Sequence, residues 1–194
     1  MFTGIVEGHG TIYRVKKGAA RSRDLRLEID IPRVAARVQI GSSVAVNGVC
    51  LTVAQKIKNK CCFDVVPETQ KRSTLGTFQT GQRVNIELPL RWQGRVGGHF
   101  VLGHVDGVGR VVALRSTRGG RSAKIGFPLR LRKFIVEKGS IAIDGTSLTL
   151  GACSQNTFWV HLIPQTLKET NLDTLTPGSR VNLEVDYAAK LLRK

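Results

Sequence analysis

Ser43-Val-Ala-Val-Asn-Gly-Val-Cys-Leu-Thr-Val53 returns later in the chain as Ser140-Ile-Ala-Ile-Asp-Gly-Thr-Ser-Leu-Thr-Leu150. The offset is 97 residues, and five of the eleven positions are identical. Most other changes are conservative: Val with Ile, Asn47 with Asp144, Cys50 with Ser147. Each copy runs apolar up to a two-residue pair, Asn47-Gly48 or Asp144-Gly145, and apolar again beyond it. Asn-Gly and Asp-Gly accept the positive φ of a tight hairpin turn, so each copy reads as two antiparallel strands. A second block, residues 66–88, repeats as residues 163–185 at the same offset, with ten of 23 positions identical. The two beginnings match as well: Phe2-Thr-Gly-Ile-Val-Glu-Gly-His-Gly10 lies over Val101-Leu-Gly-His-Val-Asp-Gly-Val-Gly109, at an offset of 99. One offset shared by two distant blocks points to duplication of a unit of about 97 residues. Two copies are too few to form a stacked solenoid, so each must close its own core.

Within each unit the elements are short. Arg83-Val-Asn-Ile-Glu-Leu88 and Arg180-Val-Asn-Leu-Glu-Val185 alternate polar and apolar, the period of a strand. Asn59-Lys60 and Gly119-Gly120 mark further hairpins. One helix per unit is expected, from Pro32 to Gly41 and from Pro128 to Gly139, on the pattern of Pro near the start and Gly at the end. An open sheet of this size would expose its edges, which a closed barrel removes. The expected fold is therefore all-β: two tandem, sequence-related, closed six-stranded antiparallel barrels of Greek-key type with short helices. The expected units are residues 1–97 and 98–186, divided near Leu90 to Gly97, where Arg91-Trp-Gln-Gly-Arg95 breaks the strand pattern. Residues 187–194 are expected to form a short C-terminal helical tail of about two turns.

The chain of 194 residues carries a net charge of +16. Its Lys and Arg are spread along the sequence, with local clusters at Arg21 to Arg26 and Arg115 to Lys124. Neither cluster interleaves the aromatics that stack on single-stranded bases, and both lie among Gly and Ser of expected loops. A solvated basic surface is preferred over a nucleic-acid partner. The four cysteines Cys50, Cys61, Cys62 and Cys153 form no C-x-x-C pair, so no metal site is expected. Cys61 and Cys62, being adjacent, should face opposite sides of one strand. With no apolar run of membrane length and no basic, then apolar, leader at the N-terminus, the expected compartment is the cytoplasm, and no membrane partner is expected.

Several stretches together resemble the riboflavin synthases, built on the lumazine-binding domain. These are Met1-Phe-Thr-Gly-Ile-Val6, Val46-Asn-Gly-Val-Cys-Leu-Thr-Val53, Gly97-Gly-His-Phe-Val-Leu-Gly-His-Val105, Ile143-Asp-Gly-Thr-Ser-Leu-Thr149 and His161-Leu-Ile-Pro-Gln-Thr-Leu-Lys168. The resemblance implies a transferase that takes two molecules of 6,7-dimethyl-8-ribityllumazine and moves a four-carbon unit from one to the other. The products are riboflavin and 5-amino-6-(D-ribitylamino)uracil, and no cofactor or metal is needed. It also implies a homotrimer, with the active site where the N-terminal barrel of one subunit meets the C-terminal barrel of another, and lumazine synthase as a further partner. Members that bind lumazine or flavin without turning it over share the fold, which leaves a non-catalytic ligand carrier as the alternative.

The resemblance places the reactive groups at Cys50, His104, Ser147 and Asp186. A thiol is mostly protonated at neutral pH and needs a base or a positive field to act as a nucleophile. An imidazole can accept and return a proton there, and a ring methyl of the lumazine must lose one. His99 reads instead as a structural, hydrogen-bonding histidine. Asp186 stands opposite Pro89 in the repeat, and Cys50 opposite Ser147, so the halves have diverged in chemistry. Two similar pockets with different reactive groups suit two identical molecules in different roles. Water and a ribityl hydroxyl remain open as the attacking group. The matching binding stretches are Phe2, Gly4, Ile5 and Val6; Ser43, Leu51 and Thr52; Asp64, Val65, Val66, Pro67, Glu68 and Thr69. The second half supplies Gly103, Val105, Lys138, Leu148 and Thr149, with Ile163, Pro164, Gln165, Thr166, Leu167 and Lys168. A ligand rich in hydroxyls needs many such partners, because each buried one left unpaired is costly.

Overall fold

The computed structural model describes residues 1–18 and 25–192. Arg21 to Asp24 of the first basic cluster and the last two residues of the tail lie outside the described residues. The first barrel is built from β1 (Gly8–Lys17), β2 (Leu25–Asp30), β3 (Ser43–Val46), β4 (Val49–Ile57), β5 (Lys60–Val65) and β6 (Arg83–Glu87). The second uses β7 (Gly107–Thr117), β8 (Gly120–Gly126), β9 (Ser140–Ile143), β10 (Thr146–Cys153), β11 (Thr157–Leu162) and β12 (Arg180–Val185). Both barrels are closed, in the orders β1-β2-β5-β4-β3-β6 and β10-β11-β8-β7-β12-β9. With each strand replaced by its repeat partner, the two cyclic orders are the same. The non-sequential neighbours β2–β5 and β3–β6 are the Greek-key crossings, and every pairing is antiparallel.

Each barrel fills its interior from alternate strand positions. Leu25, Leu27 and Ile29 of β2 are buried while Arg26, Glu28 and Asp30 are half-covered. The cores are repeats of one another: Val44, Leu75 and Ile86 in the first, Ile141, Leu172 and Leu183 in the second, each pair 97 apart. Burying a side chain of this size contributes roughly 1.5–3 kcal/mol. Even the bulges repeat, after Ile12 and Val111 and after Val53 and Leu150, where an extra residue bends a strand enough to close a small barrel. Cys61 is buried in the core and its neighbour Cys62 faces out, half-covered, as adjacent strand residues must.

One feature differs from expectation. The segments after Pro32 and Pro128 form only short 3-10 turns, Ala35–Arg37 and Leu129–Phe134. Val34, Ala35 and Val38 are drawn into the first core, and β-branched side chains crowd a helical turn. The α-helices stand where binding stretches were expected: α1 (Pro67–Arg72) and α2 (Pro164–Glu169), each with Pro in its first turn. A further helix, α3 (Tyr187–Leu192), follows β12 as expected of the tail.

The strands β6 and β12 bury polar residues as well as apolar ones. Their Asn and Glu alternate with apolar residues, and Asn85, Glu87, Asn182 and Glu184 are all buried along with them. The outer faces of these strands meet the other half. At the centre, Asn47 and Asp144 both take φ +44, and Gly48 and Gly145 take +73 and +78, the double left-handed turn of the hairpin. The two turns sit back to back: a methyl on Gly48 would lie 2.5 Å from the Gly145 nitrogen. Asn85 Nδ2 donates to the Asp144 carbonyl (2.9 Å) and Asn182 Nδ2 to the Asn47 carbonyl (2.8 Å), so each barrel satisfies the other's turn.

Candidate functional site

The chain start does not stay with its own barrel. Residues ahead of β1 and β7 cross over, and at the crossing Phe2 and Val101 exchange both backbone hydrogen bonds (2.7 and 3.1 Å). Phe2, Val101, Ala45 and Ala142 form a small apolar cluster there, with Cys50 packed against it. Beyond it, Gly4 lies on the second barrel, where its carbonyl accepts the Ser147 N–H (2.8 Å). Gly103 lies on the first, where its carbonyl accepts the Cys50 N–H (2.9 Å). The approach excludes any side chain: a methyl on Gly4 would lie 2.6 Å from Ser147 Cβ, and one on Gly103 2.5 Å from Cys50 Cβ. Both glycines also take positive φ, +76 and +80, where an L side chain is strained.

Two buried glutamates hold these crossings. Glu87 accepts from the Thr3 N–H (2.7 Å), the Thr3 hydroxyl (3.0 Å) and the Gly4 N–H (3.1 Å). Its repeat partner Glu184 accepts from the N–H groups of Leu102 (2.7 Å) and Gly103 (2.9 Å). Burial pushes both carboxyls up to about 7, although the donated amides favour the charged form. Burial pushes Asp144 up to about 7 as well. No sequence signal was attached to Glu87 or Glu184. Their identity across the repeat, one carboxylate at the same position of two strands otherwise made of Arg, Asn and apolar residues, is the available one.

The reactive candidates divide between the two crossings. Cys50 is half-buried on β4 beside Gly103, with His104 next in the chain and exposed. Ser147 is half-buried on β10 beside Gly4, where Ile5 occupies the place equivalent to His104 and is 48% exposed. The histidine that meets Ser147 is His99, which the sequence reading set aside. Its Nδ1 lies 2.7 Å from Ser147 Oγ, and its backbone N–H donates to the Thr3 carbonyl (3.1 Å). His99 Nε2 is buried without a hydrogen-bond partner. Burial holds this imidazole below its ordinary value, and the negative charge of Asp186 works against that shift. Asp186 Oδ1 also accepts the Ala188 N–H (3.0 Å) at the start of α3. Ser147 and His99 thus form a hydrogen-bonded pair that feels the charge of Asp186, and an imidazole beside a hydroxyl can exchange a proton with it.

The remaining candidates surround these positions. Ser43 pairs with Thr52 across β3 and β4, and Ser140 with Thr149 across β9 and β10. Leu51 is buried beneath Cys50's strand, while Leu148 is half-covered. Lys138 takes φ +67 where its repeat partner is Gly41, and its N–H donates to the Leu150 carbonyl (2.9 Å). Asp64 is engaged by Arg26 in a two-point ion pair (2.6 and 2.9 Å), which holds its carboxyl below the usual range. Val66 and Ile163, each 57% exposed, stand just ahead of α1 and α2. Val65 and Val66 line a surface crevice of about 620 Å³ with Leu25, Arg26, Lys16 and Lys17. Among the described residues, no group of three His, Cys, Asp or Glu side chains could hold a metal ion. No helix of the described residues is long and apolar enough to cross a membrane.

A profile of the lumazine binding domain matches residues 3–89 and again residues 102–186. The chain belongs to the lumazine-binding domain family. Its two family units are the two barrels. Riboflavin synthase of Mycobacterium tuberculosis is 43% identical over 198 residues, covering all of this chain and 97% of that enzyme. Riboflavin synthase of Photobacterium leiognathi is 40% identical over 197 residues, covering all of this chain and 88% of that enzyme. Among solved structures, LumP complexed with 6,7-dimethyl-8-(1'-D-ribityl) lumazine superposes with a TM-score of 0.86 at 27% identity, over 95% of this chain and 99% of that one. LumP complexed with riboflavin gives a TM-score of 0.87 at 28% identity with the same coverage.

Proposed function

We infer that this lumazine-binding family member is a riboflavin synthase: two molecules of 6,7-dimethyl-8-ribityllumazine react, one giving a four-carbon unit to the other. The observation that carries this is the pair of equivalent crossings with unlike reactive groups. Gly103 meets Cys50 beside His104; Gly4 meets Ser147 beside His99 and Asp186. A protein that only stores ligand has no use for that divergence. The full-length similarity to riboflavin synthases supports the same reading.

In this reading each barrel takes one lumazine near its crossing, and residues 1–97, 98–186 and 187–194 act as two binding units and a tail. The binding stretches around Thr52, Thr69, Lys138, Thr149 and Thr166 meet the pyrimidinedione edge and ribityl chain. Cys50 and His104 serve one ring; Ser147, with His99 and Asp186, serves the other and moves the proton that a ring methyl must lose. All the atoms of the product come from the two substrates, so neither a metal nor a redox cofactor enters the balance. A trimer in which the first barrel of one subunit closes on the second of the next would cover Cys50 and Ser147, each half-buried in one chain. Purified protein incubated with the lumazine alone tests the assignment. Riboflavin formed without added cofactor supports it, and saturable lumazine binding without product selects the carrier reading, which the likeness to LumP favours.

A further inference from the structure

The duplication also exposes a place where the two halves differ in charge. Arg33 lies over the first residue of β1: a methyl on Gly8 would come 2.9 Å from Arg33 Cδ. Its repeat partner Arg130 lies over the first residue of β7, with Nη2 3.0 Å from a methyl on Gly107. In the first setting Arg33 Nη1 pairs with Glu169 Oε2 on α2 (2.7 Å), and Arg83 on β6 pairs with Asp173. In the second setting both arginines persist as Arg130 and Arg180, but the carboxylates do not. Arg72 stands where Glu169 stood, and Gly76 where Asp173 stood, each at the offset of 97.

The outcome is an unneutralised crevice. Arg130 and Arg180, with Lys71 and Arg72 of α1, line a space of about 410 Å³ between the two barrels. Arg72 pairs only with Glu68 of its own helix, and Arg130 Nη2 donates to the Asp106 carbonyl (2.8 Å). Among the described residues no carboxylate pairs with Arg130, Arg180 or Lys71. The first setting holds three cations, Arg33, Arg83 and Lys168, against two carboxylates. The second holds four cations against Glu68 alone, so it carries two more positive charges. Closely spaced cations repel, and guanidinium forks present donors that match an oxyanion in two-point geometry.

We propose that this crevice binds a small phosphate-class dianion, inorganic phosphate or a phosphate monoester, which supplies the two negative charges that Glu169 and Asp173 supply in the other half. Its lining holds none of Cys50, His99, His104, Ser147 or Asp186, and shares Glu68 with the binding stretch of the first half.

Titration calorimetry on the whole protein, with inorganic phosphate and then glycerol 3-phosphate at constant ionic strength, reads it directly. Saturable binding of one anion per chain is expected, weakened about tenfold or more by Arg180→Ser, the usual scale for one lost charged hydrogen-bonding partner. Arg72→Glu with Gly76→Asp rebuilds the ion pairs of the other half and should abolish binding. Gly76 has no contact nearer than 3.5 Å to an added Cβ and can take the new side chain. If melting curves show the double variant unfolded, Arg180→Ser alone decides. No saturable binding by the wild type, or binding unchanged by the folded variants, overturns the proposal. An oligonucleotide that binds more tightly than the monoester, and is lost in the same variants, overturns it too, by assigning the crevice to nucleic acid.

Discussion

Glu184→Gln isolates what the buried carboxylate contributes to the crossing. Glu184 is 3% exposed and receives the Leu102 and Gly103 N–H groups, one on each oxygen. Its folded pKa of about 7 lies above the ordinary 4.5. A group raised in this way binds more protons folded than unfolded between those values. Its stabilising contribution is full below about pH 4.5 and is lost as pH rises through 7. At about 1.4 kcal/mol per unit, the pH-dependent part is on the order of 3 kcal/mol. Glutamine cannot ionise, so that part of the slope should vanish, while Glu87 and Asp144 keep theirs. His9 and His99, held below 6.5, contribute with the opposite sign and are untouched. At high pH the variant sheds the cost of a buried charge but turns an NH₂ toward one amide donor, losing a charged hydrogen bond of about 1.5–3 kcal/mol. The two terms nearly cancel, so stability at pH 8.5 should lie within about 2 kcal/mol of wild type. Urea unfolding between pH 5 and 8.5 measures the slope. A variant as steep as wild type would refute the buried, titrating clamp. Because Gly103 sets the position of Cys50, kcat should fall even where stability holds.

Four further outcomes follow from the same geometry. Gly103→Ala should cost at least 2 kcal/mol, roughly, and most of the turnover, because of strain and overlap with Cys50; Gly41→Ala, with φ +85 and open space, bears the strain alone and is the control in melting and rate assays. Ser147→Ala and His99→Gln, combined in a double-mutant cycle on kcat/KM, should couple by about 0.5–3 kcal/mol, and strict additivity would separate the two side chains. Cys50→Ser should lower kcat between about tenfold and a thousandfold with little change in ligand affinity, whereas Cys153→Ser should turn over like wild type; equal turnover in both removes Cys50 from the chemistry. Dilution should lower activity per chain if subunits share the site, and constant activity down to a sedimenting monomer contradicts that assembly.

The barrels were legible because duplication doubles each signal: Asn47-Gly48 and Asp144-Gly145 mark the same hairpin twice, and the structure places both in left-handed turns. The helices were not, because a proline opens a segment at Pro32, Pro67, Pro128 and Pro164 alike, and the pattern of Pro near the start with Gly at the end selects Pro32 and Pro128. Only the pull of Val34 and Val38 into the core separates a 3-10 turn from a helix there. Cys50 and Ser147 could be placed by register, since strand pairing carries the repeat directly. His99 could not, because it reaches Ser147 only through the crossing of the two halves. The clue was local: in Gly97-Gly-His99, Gly98 has its Cα so near Ser147 that an added Cβ would fall 2.7 Å from the hydroxyl. The alternation of β6 and β12 marks strands without marking their burial, since Asn85 and Asn182 are covered by the other barrel's turn and Glu87 and Glu184 by the crossing segments.

The central claim is a reaction between two identical molecules, and its stoichiometry is the most direct test. Purified protein should convert 6,7-dimethyl-8-ribityllumazine to riboflavin with two molecules consumed for each one formed, followed by chromatography of substrate and both products. An equal quantity of 5-amino-6-(D-ribitylamino)uracil should appear, with no added metal or redox cofactor. Lumazine bound and recovered unchanged, or riboflavin formed in any other ratio, would contradict the account.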